Sequence, residues 1–182
     1  MKFITIPHIA AVAVLLMCIS CVKDTDFDQA EDITLTPVVE LDLIYFDLIA
    51  EDFIDPETEL PTLTLRDTTE LRFLDDSFSR ESIRRADFYF EFTNSIPREF
   101  EVDFTFLRGS NNESTYQTAT TVIAGTPQNP QQTIFEETVE GETIDDLTRA
   151  SKVVVSVTIP SADASLEGSL NLQSKTTYYL EL

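Results

Sequence analysis

Cys21 is the side chain in this sequence whose neighbours point most directly to a defined covalent chemistry. Its thiol follows a short apolar N-terminal stretch and precedes the acidic run Lys23-Asp24-Thr25-Asp26-Phe27-Asp28, which is where a lipid attachment point belongs. Few other residues could do chemistry. The chain has one histidine, His8, a second cysteine, Cys18, and no tryptophan. If residues 1–20 are removed as an export signal, both His8 and Cys18 go with them. The remaining chain then has no Ser-His-Asp triad, no Cys-His dyad and no imidazole ligand for zinc. Carboxylates, lysines, tyrosines and hydroxyls are what is left as acid, base or nucleophile. With 33 Asp and Glu, some pair lies at nearly any separation, so carboxylate spacing of the glycosidase kind carries no signal.

The N-terminal segment has the anatomy of an export signal: Met1 and Lys2 as a charged start, an apolar stretch over residues 9–17, then small residues before Cys21. A spanning helix needs about 20 apolar residues, and Pro7 and His8 on one side with Lys23 and Asp24 on the other leave too few. The residues Cys18-Ile19-Ser20-Cys21 resemble the lipobox of bacterial lipoprotein signals. That resemblance implies acylation of Cys21, which would become the mature N-terminus. Cys18 stands where that family usually has leucine, and cleavage before Cys18 is the competing register. An ordinary secretory signal with incidental cysteines is the plainer alternative. Removing residues 1–20 loses one cation, Lys2, out of 12 Lys and Arg, and none of the 33 acidic residues, so the formal charge moves from -21 to -22.

A charge of this size repels nucleic acid, which would need a basic stripe. The basic cluster Arg80, Arg84 and Arg85 has Glu81 and Asp87 beside it, so surface ion pairing is the expected use. The spacing Asp24-x-Asp26-x-Asp28 fails as a calcium loop, because Gln29 and Leu35 stand where Gly and Glu are required. Residues 23–32 carry five carboxylates and little to bury, and are expected to form an extended hydrated tether. The tether resembles the export signal of Bacteroidetes and flavobacterial lipoproteins, in which acidic residues soon after the acylated cysteine direct the protein to the outer face of the outer membrane.

Elements that could position any site begin after the tether. Phe88, Phe90 and Phe92 alternate with Tyr89, Glu91 and Thr93, and Phe100, Val102, Phe104 and Phe106 alternate with Glu101, Asp103 and Thr105. Both are half-buried strands. The turn residues 94–98 between them predict a hairpin. Residues 38–48, 60–73 and 152–159 supply further strands, 113–123 and 131–139 weaker ones, and 169–173 with 176–182 a closing hairpin across Ser174-Lys175. Segments 79–86 and 142–150 have helical spacing, with Ile144, Leu147 and Ala150 in the second, and are expected to be short crossover helices. Arg85-Ala86 and Arg149-Ala150 sit alike in the two, which leaves an internal duplication open.

The expected fold is therefore all-β, a two-sheet immunoglobulin-like sandwich of about seven or eight strands with one or two short crossover helices. The 94–97 turn resembles the strand pairs of immunoglobulin-like sandwiches in surface lipoproteins of uncharacterised families. Three parts follow: a lipoprotein signal peptide at 1–20, an acidic tether at 21–32 and a β-sandwich domain at 33–182. The expected function is a lipid-anchored binding or assembly module at the outer membrane, facing the cell exterior. Its partners would be the membrane through the lipid on Cys21 and envelope proteins, not nucleic acid. No catalytic residue, cofactor or metal ligand is assigned. The alternative is a small carboxylate-based hydrolase or carbohydrate-active enzyme. Three minor surface candidates are the loop 108–115, the pair Tyr178 and Tyr179, one of which alternation places in the core, and Asp67-Thr68-Thr69, which resembles a short O-glycosylation motif of Bacteroidetes.

Overall fold

The computed structural model describes residues 34–75 and 77–182. The signal, Cys18, Cys21 and nearly all of the acidic tether lie outside the described residues. Eight strands follow in chain order: β1 (Val38–Ile49), β2 (Thr64–Glu70), β3 (Ile83–Asn94), β4 (Phe100–Leu107), β5 (Ser114–Val122), β6 (Gln131–Glu140), β7 (Lys152–Thr158) and β8 (Ser169–Leu180). A 3-10 turn at Ala50–Phe53 follows β1. Short helices α1 (Arg72–Asp75) and α2 (Ser77–Ser82) lie between β2 and β3, and α3 (Glu142–Leu147) lies between β6 and β7.

The strands form two antiparallel four-stranded sheets, in the orders β1-β8-β3-β6 and β2-β7-β4-β5. The two-sheet sandwich is as the sequence predicts, and α1 with α2, and α3, each carry the chain from one sheet to the other; the bounds differ, because Ile83–Ala86 of the expected helix 79–86 open β3, and Arg72 and Phe73 of the expected strand 60–73 belong to α1. The strand order refines the expectation. Immunoglobulin domains keep neighbouring strands in one sheet at several points. Here all connections between consecutive strands cross between sheets except β4 to β5, which is the interleaved order of a jelly roll.

That interleaving corrects the first expected hairpin. β3 pairs with β6 and β8, and β4 pairs with β5 and β7, so the two phenylalanine-rich strands lie in opposite sheets. Their rings do form the core, but by facing each other across it: Phe90 and Phe104 have centroids 4.2 Å apart, and Phe88 and Phe106 5.4 Å. Burying these seven side chains contributes on the order of 10 to 20 kcal/mol before chain entropy is counted. Alternation fixes which face of a strand is buried; it says nothing about which strand lies alongside. Asn94 settles the matter locally. It is 0% exposed. Its side-chain amide donates to the carbonyls of Arg98 and Ile123, both at 2.8 Å, and its side-chain oxygen accepts from the Ile96 N–H at 2.8 Å. These bonds fold the segment over the end of the sandwich toward β4.

The second expected hairpin is also corrected. Ser174 and Lys175 do not turn; β8 runs unbroken through them as a central strand between β1 and β3. The polar pair has another cause. β1 carries a bulge between Asp42 and Tyr45 that turns both Leu43 and Ile44 inward, and Ser174 sits buried opposite it. The bulge leaves backbone groups of Ile44 without a ladder partner, and a hydroxyl can take both roles.

The weaker strands β5 and β6 are edge strands of the two sheets. Their inward positions include Tyr116, Thr118 and Glu137, and the pattern looked weak because polar residues stand where apolar ones would mark a core. Tyr116 and Thr118 donate to the Glu137 carboxylate at 2.7 and 3.3 Å, linking the two edges. Burial, then the Glu137 hydrogen bond, raises the Tyr116 hydroxyl pKa.

Candidate functional site

Alternation along four paired strands sets the outer face of the first sheet. Reading across β1, β8, β3 and β6, the register aligns Val38, Tyr179, Arg85 and Glu140 in one row, then Glu40, Thr177, Asp87 and Thr138. Asp42, Lys175, Tyr89 and Glu136 form the next, and Tyr45, Gln173, Glu91 and Ile134 the one after. Three of the chain's five tyrosines, Tyr45, Tyr89 and Tyr179, thus face outward on one sheet. With strands about 4.8 Å apart and outward residues about 6.7 Å apart along a strand, Tyr89 lies roughly 12 Å from Tyr45 and roughly 14 Å from Tyr179.

Each ring sits among groups that hydrogen-bond or carry charge. The Arg85 guanidinium lies 5.0 Å from the centre of the Tyr179 ring, and the Lys175 ammonium 5.9 Å from that of Tyr89. Arg85 grips Asp87 with two bonds, at 2.8 and 2.7 Å, and Thr138 adds a third at 2.9 Å. Burial alone would raise the Asp87 carboxyl pKa, but the hydrogen bonds from Arg85, Thr138 and Tyr179 outweigh it and hold the pKa below the usual carboxylate value. Tyr89 donates to Glu91 at 2.9 Å, and Gln132 donates to the same carboxylate at 2.6 Å. Lys175 reaches Glu40 at 2.8 Å. The Glu91 hydrogen bond raises the Tyr89 hydroxyl pKa, and Asp42 does the same for Tyr45.

Two adjoining recesses open on this face. One of about 540 Å³ is lined by Arg85, Asp87, Tyr89, Glu136, Thr138 and Lys175. The other, of about 130 Å³, is lined by Asp42, Tyr45, Tyr89, Glu91, Gln173 and Lys175. Tyr89 and Lys175 border both. The outer face of the second sheet has a recess of about 490 Å³, walled by Thr64, Thr105, Gln117, Ser156 and Thr158 together with the charged Arg66 and Asp103. No tyrosine lines it.

The face was missed at the sequence level because each tyrosine sits singly in a different strand, and only the register brings them together. Of the candidates named from sequence, Arg85 belongs to this face and pairs with Asp87 as expected. Arg84 pairs instead with Glu181 at 3.3 Å and donates to the Glu81 carbonyl at 2.7 Å. Tyr178 is in the core at 3% exposure and Tyr179 outside, as alternation requires. Loop 108–115 closes on itself: Asn112 donates to the Arg108 carbonyl at 2.9 Å, and Arg108 meets Glu113 at 3.6 Å. Thr68 is exposed on β2, an edge strand. Among the described residues no three His, Cys, Asp or Glu side chains come together as a metal site. Nor, among them, is any helix long and apolar enough to cross a membrane.

No protein-family model and no curated protein matches this chain. Among solved structures, a Parabacteroides distasonis protein described as secreted is 19% identical, with 63% of this chain and 37% of that one covered and a TM-score of 0.44. The VP2 subviral particle of infectious bursal disease virus is 8% identical over 79% of this chain and 32% of that one, at a TM-score of 0.46. The enzymatically active domain of tailspike protein 4 from bacteriophage CBA120 is 10% identical over 81% and 19%, at 0.36. This chain spans well under half the length of each. Likenesses at these TM-scores bear on neither ligand nor activity, and the fold rests on the strand pairing itself.

Proposed function

We propose that this chain is a non-catalytic binding module of the cell envelope, held at the outer membrane by lipid on Cys21 and facing the cell exterior. Its first sheet holds an extended, uncharged, polyhydroxylated polymer across Tyr45, Tyr89 and Tyr179. The observation that carries this reading is the asymmetry of the two outer faces. One has three tyrosine rings within a span of roughly 21 Å, each set among hydrogen-bonding side chains, while the recess on the other has no tyrosine and is walled by Thr, Ser and Gln side chains together with Arg66 and Asp103.

Tyrosine offers an apolar ring with a polar tip, which suits a ligand whose C–H faces alternate with hydroxyls. Fixed carboxylates such as Asp87 and Glu91, already oriented by hydrogen bonds, can accept from those hydroxyls without being reorganised. Charge narrows the class. Glu40, Asp42, Asp47, Asp87, Glu91, Glu136 and Glu140 outnumber Arg84, Arg85 and Lys175 on this face, so a polyanion would be repelled.

The Cys21 anchor rests on the sequence alone.

Probing an array of neutral, cationic and anionic polysaccharides with the purified full-length protein tests the proposal. Saturable binding confined to neutral polymers and weakened about tenfold in Tyr89→Ala is the expected result. Binding to anionic polymers only, or to none, would contradict it.

A further inference from the structure

A second site lies away from the tyrosine face and does not depend on it. Where β1 and β8 face the corner between β2 and α1, a recess of about 230 Å³ is lined by Leu41, Leu43, Leu71, Phe73, Thr176 and Tyr178, with the exposed Asp42, Glu70 and Arg72 flanking it. Phe73 packs on Tyr178 with ring centroids 5.0 Å apart. Thr176 is 1% exposed, and among the described residues its hydroxyl is the one buried side-chain polar atom without a hydrogen-bond partner.

A buried hydroxyl left without a partner is costly, and its position in the wall of an apolar recess suggests what relieves it. Water is a poor occupant of its inner end, because a buried water usually makes about three hydrogen bonds, and inside the charged rim of Asp42, Glu70 and Arg72 the wall presents two hydroxyls among four apolar side chains. An apolar cavity of about 150 Å³ is large enough for benzene. We infer that this recess binds a small uncharged molecule with an apolar body and a single hydrogen-bonding group, of the size and chemistry of a substituted phenol, with its polar group against Thr176. The body would pack on Leu41, Leu43, Leu71 and Phe73, as ligands do in pockets that are mostly apolar with a few placed polar groups.

The test is a protein-observed NMR titration of the full-length protein with p-cresol and with toluene, which share a shape and differ in the hydroxyl. Saturable shifts are expected at Leu41, Leu43, Phe73 and Thr176, with p-cresol bound about fivefold more tightly than toluene, the worth of one net hydrogen bond. Thr176→Val should bring the two affinities together while keeping toluene binding, and Thr176→Ser should keep the preference. No saturable shift with either compound, as for a recess holding water only, would overturn the inference. So would shifts centred elsewhere, or an undiminished preference in Thr176→Val.

Discussion

The hydroxyl of Ser174 completes the backbone of Ile44. It accepts from the Ile44 N–H at 2.9 Å and donates to the Ile44 carbonyl at 2.8 Å, across the bulge that interrupts the pairing of β1 with β8. One side chain thus satisfies two buried main-chain groups that the bulge takes out of the ladder. Ser174→Ala leaves both without a partner and is expected to lower stability by about 1 to 3 kcal/mol, read as a reduced urea midpoint at unchanged m-value. A variant as stable as the parent would show that the bulge is satisfied in another way.

Asn94 has the same kind of role at the end of the sandwich, with three bonds instead of two. Asn94→Leu is close in size but strands the Ile96 N–H and the carbonyls of Arg98 and Ile123, at a cost of roughly 2 to 4 kcal/mol. Gly125 packs against the Asn94 carbonyl so closely that an added Cβ would collide with it. Gly125→Ala is therefore expected to destabilise as well. Because the two positions touch, the double variant should lose less than the sum of the single losses; strict additivity would argue against a shared corner.

Asp87 should mark the pH dependence of the tyrosine face. Its pKa is lowered in the folded protein, so its stabilising contribution is complete above the unfolded carboxyl value of about 3.9. That contribution is lost as pH falls through the lower folded value. The stability difference between the parent and Asp87→Asn is expected to hold from neutral pH to about pH 4 and to shrink below it. A gap that widens on acidification would reverse the assigned sign.

What the sequence made legible was the face of each strand, and what it left illegible was the partner. The alternation in Phe88, Phe90 and Phe92 and in Phe100, Val102, Phe104 and Phe106 placed the core correctly, since a period of two is a property of one strand alone. Pairing is a property of distant segments. Asn94 to Arg98 carries turn chemistry whether the chain returns within one sheet or crosses to the other, so the hairpin reading failed there. Ser174-Lys175 looked like a turn because Ser174 answers a bulge in β1, some 130 positions away in sequence. The tyrosine face was hidden for the same reason: Tyr45, Tyr89 and Tyr179 converge only through the register of β1, β8 and β3. Net charge, being a property of composition, needed no structure.

For the anchor, Cys21→Ala is expected to shift the protein from membrane to soluble fractions after cell breakage, with the sandwich melting unchanged. Cys18→Ala should stay in the membrane. The reverse pattern would place the acylated residue at Cys18. Mass spectrometry of the mature N-terminus distinguishes the two directly.

The role of the tyrosine face is tested most sharply by comparing the two sheets in one calorimetric titration. The neutral polysaccharide that binds the parent protein would be titrated into Tyr89→Ala, on the outer face of the first sheet, and into Gln117→Ala, on that of the second. Loss of one stacking platform is expected to weaken binding about tenfold in Tyr89→Ala, with Gln117→Ala indistinguishable from the parent. Equal affinity in Tyr89→Ala and the parent, or a loss confined to Gln117→Ala, would contradict a binding role for Tyr45, Tyr89 and Tyr179.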